Sequence, residues 1–454
     1  MKLALISDIH YYSEKLGTSG TAFQTRERMC QYFLRENGAI CDSAFDKIAK
    51  SDADAVLICG DLTNNGEKVC HDEIIEKLRE LKKSKPVYVV YATHDWCSNG
   101  CAKRYDGANV LTDVTTVSPS DLAEMYREFG RDEAVSEFVH ENGSVSYAVD
   151  LAENLRLLAL NDDQNGNGKA GYTDEQMLWI KQMSDFSGDV LVMQHHLIMP
   201  GLSNIVNRSQ IIGDAENCRT LLASCGIKFV FCGHSHMQRV SKLDGIYQIN
   251  IPCLTAYPGK ILYANCENGK IKLDATEKIE FDFNGQHFDS RYYEKKATAL
   301  VTDLLRDMSV SRDKLMSDLD TFGISIPNVP IPDSLVTSYG KKLYSGTVGD
   351  VLKPINRLIH IVDKNDLKKI EDNKFIDYIE TVFRSVFDGS VKKFPTSTPE
   401  YNVIMSIVTN PGKLQKLPIK QLKSERFTRL LTEAKATAEK ICNPEYDAES
   451  VEIQ

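Results

Sequence analysis

The sequence predicts a layered α/β fold followed by a smaller all-α domain. Over the first half, short apolar β-type runs alternate with amphipathic helical stretches, the pattern of a layered sheet. Near residue 290 the β-type runs stop and a helical period takes over. The chain is therefore expected to divide into residues 1–288, which carry the chemistry, and a helical domain over 289–454. At 454 residues, two or three domains fit the length.

Each element has its own signal. Lys2 to Ile6 is a short strand, Cys41 to Lys50 has helical spacing, and Ala55 to Cys59 is an apolar β-type run. Lys68 to Lys82 is an amphipathic helix and Val87 to Tyr91 a valine-rich strand. Residues 97–118 lack periodicity and read as a long loop, the kind that often serves a site. Ser144 to Val149 and Arg156 to Leu160 read as paired strands. Thr173 to Met183 is a helix whose Thr173 and Gln176 form a capping box. Asp189 to Met193 is a strand, Glu216 to Ser224 a helix and Lys228 to Cys232 a strand. Short β-like segments from Arg239 to Phe283, with turns at Gly245 and Gly269, suggest a second sheet closing the domain.

Helical periods then cover Thr298 to Met308, Val348 to Val362, Leu367 to Phe387 and Ile419 to Ala438. Pro354 predicts a kink, and Pro418 suits a helix start. Ile326 to Asp333 is a rigid, proline-rich break. The acidic end, Asn443 to Gln454, is expected to be loosely held.

Composition narrows the function. Sixty-four acidic and 54 basic side chains give a net charge of −10, which argues against a broad basic surface for nucleic-acid polymers. A small phosphorylated substrate is compatible, because bound metal supplies positive charge locally. In the opening stretch the apolar run is only Leu3 to Ile6, too short for a signal-peptide core, and no window approaches the length of a membrane span. Twelve scattered cysteines form no small disulfide framework, so reduced thiols in a cytoplasm are expected.

Five compact clusters follow apolar strands. They are Ser7-Asp8-Ile9-His10, the acidic Gly60-Asp61-Leu62-Thr63-Asn64-Asn65-Gly66-Glu67, Ala92-Thr93-His94-Asp95, Gln194-His195-His196 and Gly233-His234-Ser235-His236. Sites form at the carboxyl ends of strands in α/β sheets, so these clusters are expected to converge. Carboxylates and imidazoles crowded together need cations, and mixed His/Asp ligation suits Mn, Fe, Zn or Co better than magnesium. Residues i and i+2 at a strand end can reach one ion or two adjacent ones. Asp61 can bridge a pair, and such a pair clamps a phosphoryl group. His71, His140, His287 and His360 lie outside the clusters and take ordinary surface or core roles. Trp96, Cys97 and Cys101 follow the third cluster, where pocket lining and loop packing explain them equally well.

In this order the clusters resemble the calcineurin-like metallophosphoesterase superfamily, over about residues 1–285. The resemblance implies a four-layer αββα sandwich and two metal ions, Mn, Fe or Zn, hydrolysing phosphoesters through a bridging hydroxide. It assigns Asp8, His10, Asp61 and His236 to the first metal. Asp61, His195 and His234 go to the second, with Asp61 shared. His195 is favoured over its neighbour His196 by alignment with the family segment. At position 93 the family has asparagine; Thr93 is a shorter, poorer donor, so Thr93→Asn is expected to tighten the second metal. His94 resembles the histidine that protonates the leaving oxygen or contacts the phosphate, with Asp95 placed to orient it.

The stretch Gly60 to Glu67 resembles the class III cyclic-nucleotide phosphodiesterase branch, as does a helical C-terminal domain. The lack of a tyrosine between Leu62 and Glu67 disfavours purple acid phosphatases. The expected activity is hydrolysis of cyclic nucleotides or similar small diesters. A phosphomonoesterase or nucleotide pyrophosphatase, and an impaired metal- or nucleotide-binding module, stand as alternatives. The expected partners are a small phosphorylated substrate and a second copy of the chain, with no membrane. The helical domain would cover the site, select substrate or mediate dimerisation.

Overall fold

The computed structural model describes residues 1–163, 170–321, 332–389, 394–416, 423–442 and 450–454. Its centre is a pair of stacked sheets. The first has six strands, in the order Ser450–Ile453, Lys270–Asp274, Leu262–Glu267, Lys2–Ile6, Ala55–Cys59 and Val87–Val90. The second has seven, in the order Arg239–Leu243, Ile246–Asn250, Phe229–Cys232, Asp189–Met193, Leu155–Ala159, Val145–Ala152 and Ser136–Val139.

Strand periodicity explains the layering, because alternate residues face opposite sides. Leu3 and Leu5 point between the sheets, where they meet Leu57, Leu157, Leu191, Phe231 and Ile249. Ala4 and Ile6 point outward, against Ile40, Ile48, Ile74 and Leu78 of helices Asn37–Lys50 and Lys68–Lys82. On the far side, Leu158, Val192 and Val230 pack on Trp179, Ile180 and Leu222 of helices Asp174–Met183 and Ala215–Ser224. The result is the expected αββα sandwich, with helices following from Ser290 onward.

Tertiary contacts change several sequence expectations. The segments from Arg239 to Phe283 do not form one closing sheet. Arg239–Leu243 and Ile246–Asn250 extend the second sheet, while Leu262–Glu267 pairs antiparallel with Lys2–Ile6 in the first. The loop over 97–118 contains a small hairpin, Arg104–Asp106 with Asn109–Leu111. Thr173 caps its helix by accepting from Gln176 N–H, but the Gln176 side chain does not return to complete a box. It turns into the core and donates to Ser146 Oγ and the Asn161 carbonyl.

The helical stretch read as Leu367 to Phe387 is two helices, Lys364–Ile370 and Phe375–Phe387. Backbone bonds from Val348 and Gly349 N–H to the Asn373 and Glu371 carbonyls hold the intervening chain, a partnership that periodicity does not encode. Helices Gly20–Met29, Arg312–Thr321, Asp333–Ser345 and Pro399–Val408 lack a counterpart in the sequence reading. The last helix is Glu425–Cys442; Pro418 and most of the proline-rich break lie outside the described residues.

Residues 450–454 correct the expected loose end. Ser450–Ile453 pairs antiparallel with Lys270–Asp274, and Ile453 is buried between the sheets. Ile453→Ala is therefore expected to destabilise the fold by about 2–4 kcal/mol, read as a lower urea midpoint at unchanged slope. A midpoint equal to wild type would mean that this strand contributes little.

Candidate metal centre

The five clusters lie where apolar strands end and the backbone turns. Asp8, His10, Asp61, His234 and His236 all adopt positive φ, between 47° and 63°. Non-glycine residues rarely hold this conformation, which costs about 1 kcal/mol or more each, so the surrounding structure must enforce it. Backbone bonds do so. Asp8 N–H donates to the Gly60 carbonyl at 3.0 Å, and His10 N–H to the Asp61 carbonyl at 2.9 Å. His234 N–H donates to the Asp8 carboxylate at 3.0 Å. Two glycines permit close approach. A Cβ on Gly60 would sit 2.6 Å from His195 Nδ1, and one on Gly233 would sit 2.0 Å from Ser7 Oγ.

The side chains converge as the sequence reading expects. His10 Nε2 lies 3.0 Å from His236 Nε2, and His236 Nε2 lies 3.3 Å from Asp8 Oδ1. His195 Nε2 lies 3.1 Å from His234 Nδ1 and 3.2 Å from Asp61 Oδ2. Asp61 Oδ2 is also 3.8 Å from His10 Nε2, so one carboxylate touches both histidine pairs. Asp8, His10, Asp61 and His195 are almost completely buried.

This arrangement fits a pair of cations. Two imidazole nitrogens facing each other at 3.0–3.1 Å oppose their lone pairs unless a cation or proton lies between them. Asp61 Oδ1, His10 Nδ1 and His236 Nδ1 are buried without a hydrogen-bond partner among the described residues. Mixed imidazole and carboxylate donors suit Mn, Fe, Zn or Co.

Electrostatics agree. Burial pulls His10 and His234 well below the usual histidine range, favouring the neutral, metal-ligating form. Burial works against ionised Asp61, but His195, His94 and His10 outweigh it and hold the carboxyl well below its usual range. His195 is pulled down by burial and raised well above its usual range by Asp61.

His94 is half-buried at the rim. Its Nδ1–H donates to the Asn64 carbonyl at 2.6 Å, and its ring stands edge-on to His10 with centroids 5.0 Å apart. The Asn64 side chain is held by Tyr32 OH at 2.8 Å and itself donates to Glu67 at 2.9 Å. Asp95 does not orient His94, contrary to the sequence expectation. Its carboxylate accepts from Ala92 N–H at 2.9 Å and from Thr63 N–H at 2.9 Å, tying the third cluster to the second. Burial, reinforced by the Asp61 charge, pushes Asp95 up to about 7. Half-buried Thr93 accepts from Ser98 N–H through its carbonyl.

Residues 1–238 match the family described as calcineurin-like phosphoesterase, a little over half the chain. The chain belongs to the calcineurin-like phosphoesterase family. Among curated proteins no sequence match is found. Similar solved structures include a dimetal phosphatase from Danio rerio, at 12% identity over 64% of this chain and 99% of that one, with TM-score 0.44. A purple acid phosphatase from yellow lupin (Lupinus luteus) seeds matches at 12% identity over 64% of this chain and 52% of that one, with TM-score 0.38. A putative 5'-nucleotidase from Staphylococcus aureus matches at 11% identity over 67% of this chain and 58% of that one, with TM-score 0.34.

Within this phosphoesterase the structure adds residues that the sequence reading passed over. Asp162 and Asp163 follow the strand Leu155–Ala159 and are buried beside His196. Asp162 accepts from His196 Nδ1–H at 3.0 Å and from His196 N–H at 2.7 Å. Trp96 Nε1–H donates to Asp163 at 2.9 Å, which gives the indole a supporting role beside the centre. Burial pushes Asp163 up to about 7. The signal in the sequence is an acidic pair a few residues beyond an apolar strand, with no histidine beside it. Tyr32 stacks on His10 at 4.2 Å, a contact that no motif announces.

Outside the centre, His71 and His140 are core residues and His287 and His360 are exposed. His71 donates to the Asp95 carbonyl at 2.7 Å. All twelve cysteines are free, and among the described residues Cys97 and Cys101 join none of the candidate metal groups. Among the described residues, no helix is long and apolar enough to cross a membrane.

Proposed function

We propose that this phosphoesterase hydrolyses small phosphodiesters, cyclic nucleotides among them, at the centre built by Asp8, His10, Asp61, His195, His234 and His236. The observation that carries the reading is the pair of facing imidazole contacts, 3.0 and 3.1 Å, joined by the buried Asp61 carboxylate. Asp8, His10, Asp61 and His236 would hold one cation; Asp61, His195 and His234 would hold the other. When bound, such a pair polarises the phosphoryl group, stabilises its developing charge and acidifies an attacking water.

The protein's own contribution is positioning. The His195 Nδ1–H bond to the Cys59 carbonyl, 2.8 Å, fixes the tautomer and leaves Nε2 facing the centre. The His94 Nδ1–H bond to the Asn64 carbonyl fixes the ring and frees Nε2; as an imidazolium, with both nitrogens protonated, His94 would give its Nε2 proton to the departing oxygen. Diester preference rests on the likeness of Gly60 to Glu67 to the cyclic-nucleotide branch.

The helices after residue 289 would act as a cover that selects substrate. Helix Phe375–Phe387 ends against the loop that follows His236, with Gln238 N–H donating to the Phe387 carbonyl at 2.7 Å and Gly389 N–H to the Gln238 carbonyl at 3.0 Å. The buried Lys260–Asp388 ion pair, at 3.4 Å, reinforces this junction.

The test compares kcat/KM for bis-p-nitrophenyl phosphate and p-nitrophenyl phosphate in protein loaded with manganese. The diester is expected to be preferred by at least about tenfold, or 1.4 kcal/mol. A reversed preference would replace the diesterase by a monoesterase. Two bound ions with negligible turnover of either ester would replace the hydrolase by a binding module.

A further inference from the structure

The geometry points to His196 as a third imidazole ligand of the second cation, so that His195, His196, His234 and Asp61 form a three-nitrogen, one-carboxylate site held in place by Asp162. This rests on the dinuclear reading above and goes beyond it, since that reading takes only His195 from the adjacent pair.

The rings of His195, His196 and His234 surround a common point. Their centroids lie 4.9 Å apart for His195 and His234, 4.4 Å for His196 and His234, and 5.0 Å for His195 and His196. One ring nitrogen from each lies within 4.8 Å of the other two. Donors about 2.0–2.1 Å from a single ion need to close by only a fraction of that separation.

The Asp162 carboxylate decides which His196 nitrogen faces the ion. His196 Nδ1–H donates to the buried Asp162 carboxylate at 3.0 Å, which leaves Nε2 with its lone pair. Asp162 is itself fixed through its other oxygen by His196 N–H at 2.7 Å and by Gln194 Nε2 at 3.3 Å. A ligand imidazole ordinarily donates its other N–H to a carboxylate or carbonyl, and His195 does so at the Cys59 carbonyl. His196 has the same support, from the stronger of the two acceptor types. Adjacent residues that both turn inward need an irregular backbone, and the chain leaves the strand Asp189–Met193 just before them. Three imidazoles with one carboxylate select zinc, cobalt or iron over magnesium at this position.

The experiment loads the full chain with cobalt(II) and follows ions per chain, stepwise affinity and the visible absorption of the bound cobalt. Wild type is expected to hold two ions. His196→Gln should keep one, weaken the other by at least tenfold and change the visible spectrum, while Asp162→Asn should weaken the same ion by about 10–100-fold. Two ions bound by His196→Gln with wild-type affinity and spectrum would overturn the assignment and leave the dinuclear reading intact. Fewer than two ions on wild type would overturn both. Should His196→Gln not fold, Asp162→Asn decides alone, and wild-type affinity in that variant overturns the assignment.

Discussion

Asp61→Asn is expected to reduce phosphodiester turnover by about a thousandfold or more and to lower the number of tightly bound metal ions per chain. The reason is its shared position. One oxygen of Asp61 lies 3.2 Å from His195 Nε2 and 3.8 Å from His10 Nε2, while the other is buried without a hydrogen-bond partner among the described residues. An amide keeps the shape and removes the negative charge that both cations would share. The loss should exceed the 10–100-fold typical when a residue one layer out is changed. Elemental analysis after dialysis, with bis-p-nitrophenyl phosphate turnover on the same sample, checks it. Retention of two ions and of activity within tenfold would remove Asp61 from the bridging role. The variant should fold, because Asp61 sits on a turn whose backbone bonds to His10 and Asp8 do not use its carboxylate.

His94→Ala is expected to lower kcat by about 10²–10⁴-fold on a diester with an alkyl leaving group, and much less on one that releases p-nitrophenol. A poor leaving group needs its oxygen protonated as the bond breaks; p-nitrophenolate departs without help. Bound metal should be unchanged, since His94 is held by the Asn64 carbonyl at the rim and not within the facing histidine pairs. An equal loss on both substrates would assign His94 to phosphate contact instead of proton donation.

Much of the centre was legible because its residues come in short clusters behind apolar strands. Asp8 with His10 and His234 with His236 are two residues apart at strand ends, where one turn presents both, and the structure brings all four together. Asp95 shows where adjacency misleads. Its carboxylate folds back to Ala92 N–H and across to Thr63, so the neighbour of His94 in the chain is not its partner in space. The partner is the Asn64 carbonyl, a backbone atom that residue identity does not mark. Asp162 escaped because it stands more than thirty residues before His196, and only the parallel pairing of Leu155–Ala159 with Asp189–Met193 sets them side by side.

The same division holds for the fold. Alternating apolar runs by themselves determined the layered α/β half, the switch to helices near residue 290 and the set of metal-seeking side chains, because period and chemistry are local properties of a chain. Tertiary structure decided which sheet each late strand joins, that the acidic end returns as an edge strand burying Ile453, and which carboxylate supports which imidazole. Those outcomes depend on pairings between residues far apart in sequence, whose free energy comes from excluding water between two surfaces and is not a property of either segment alone.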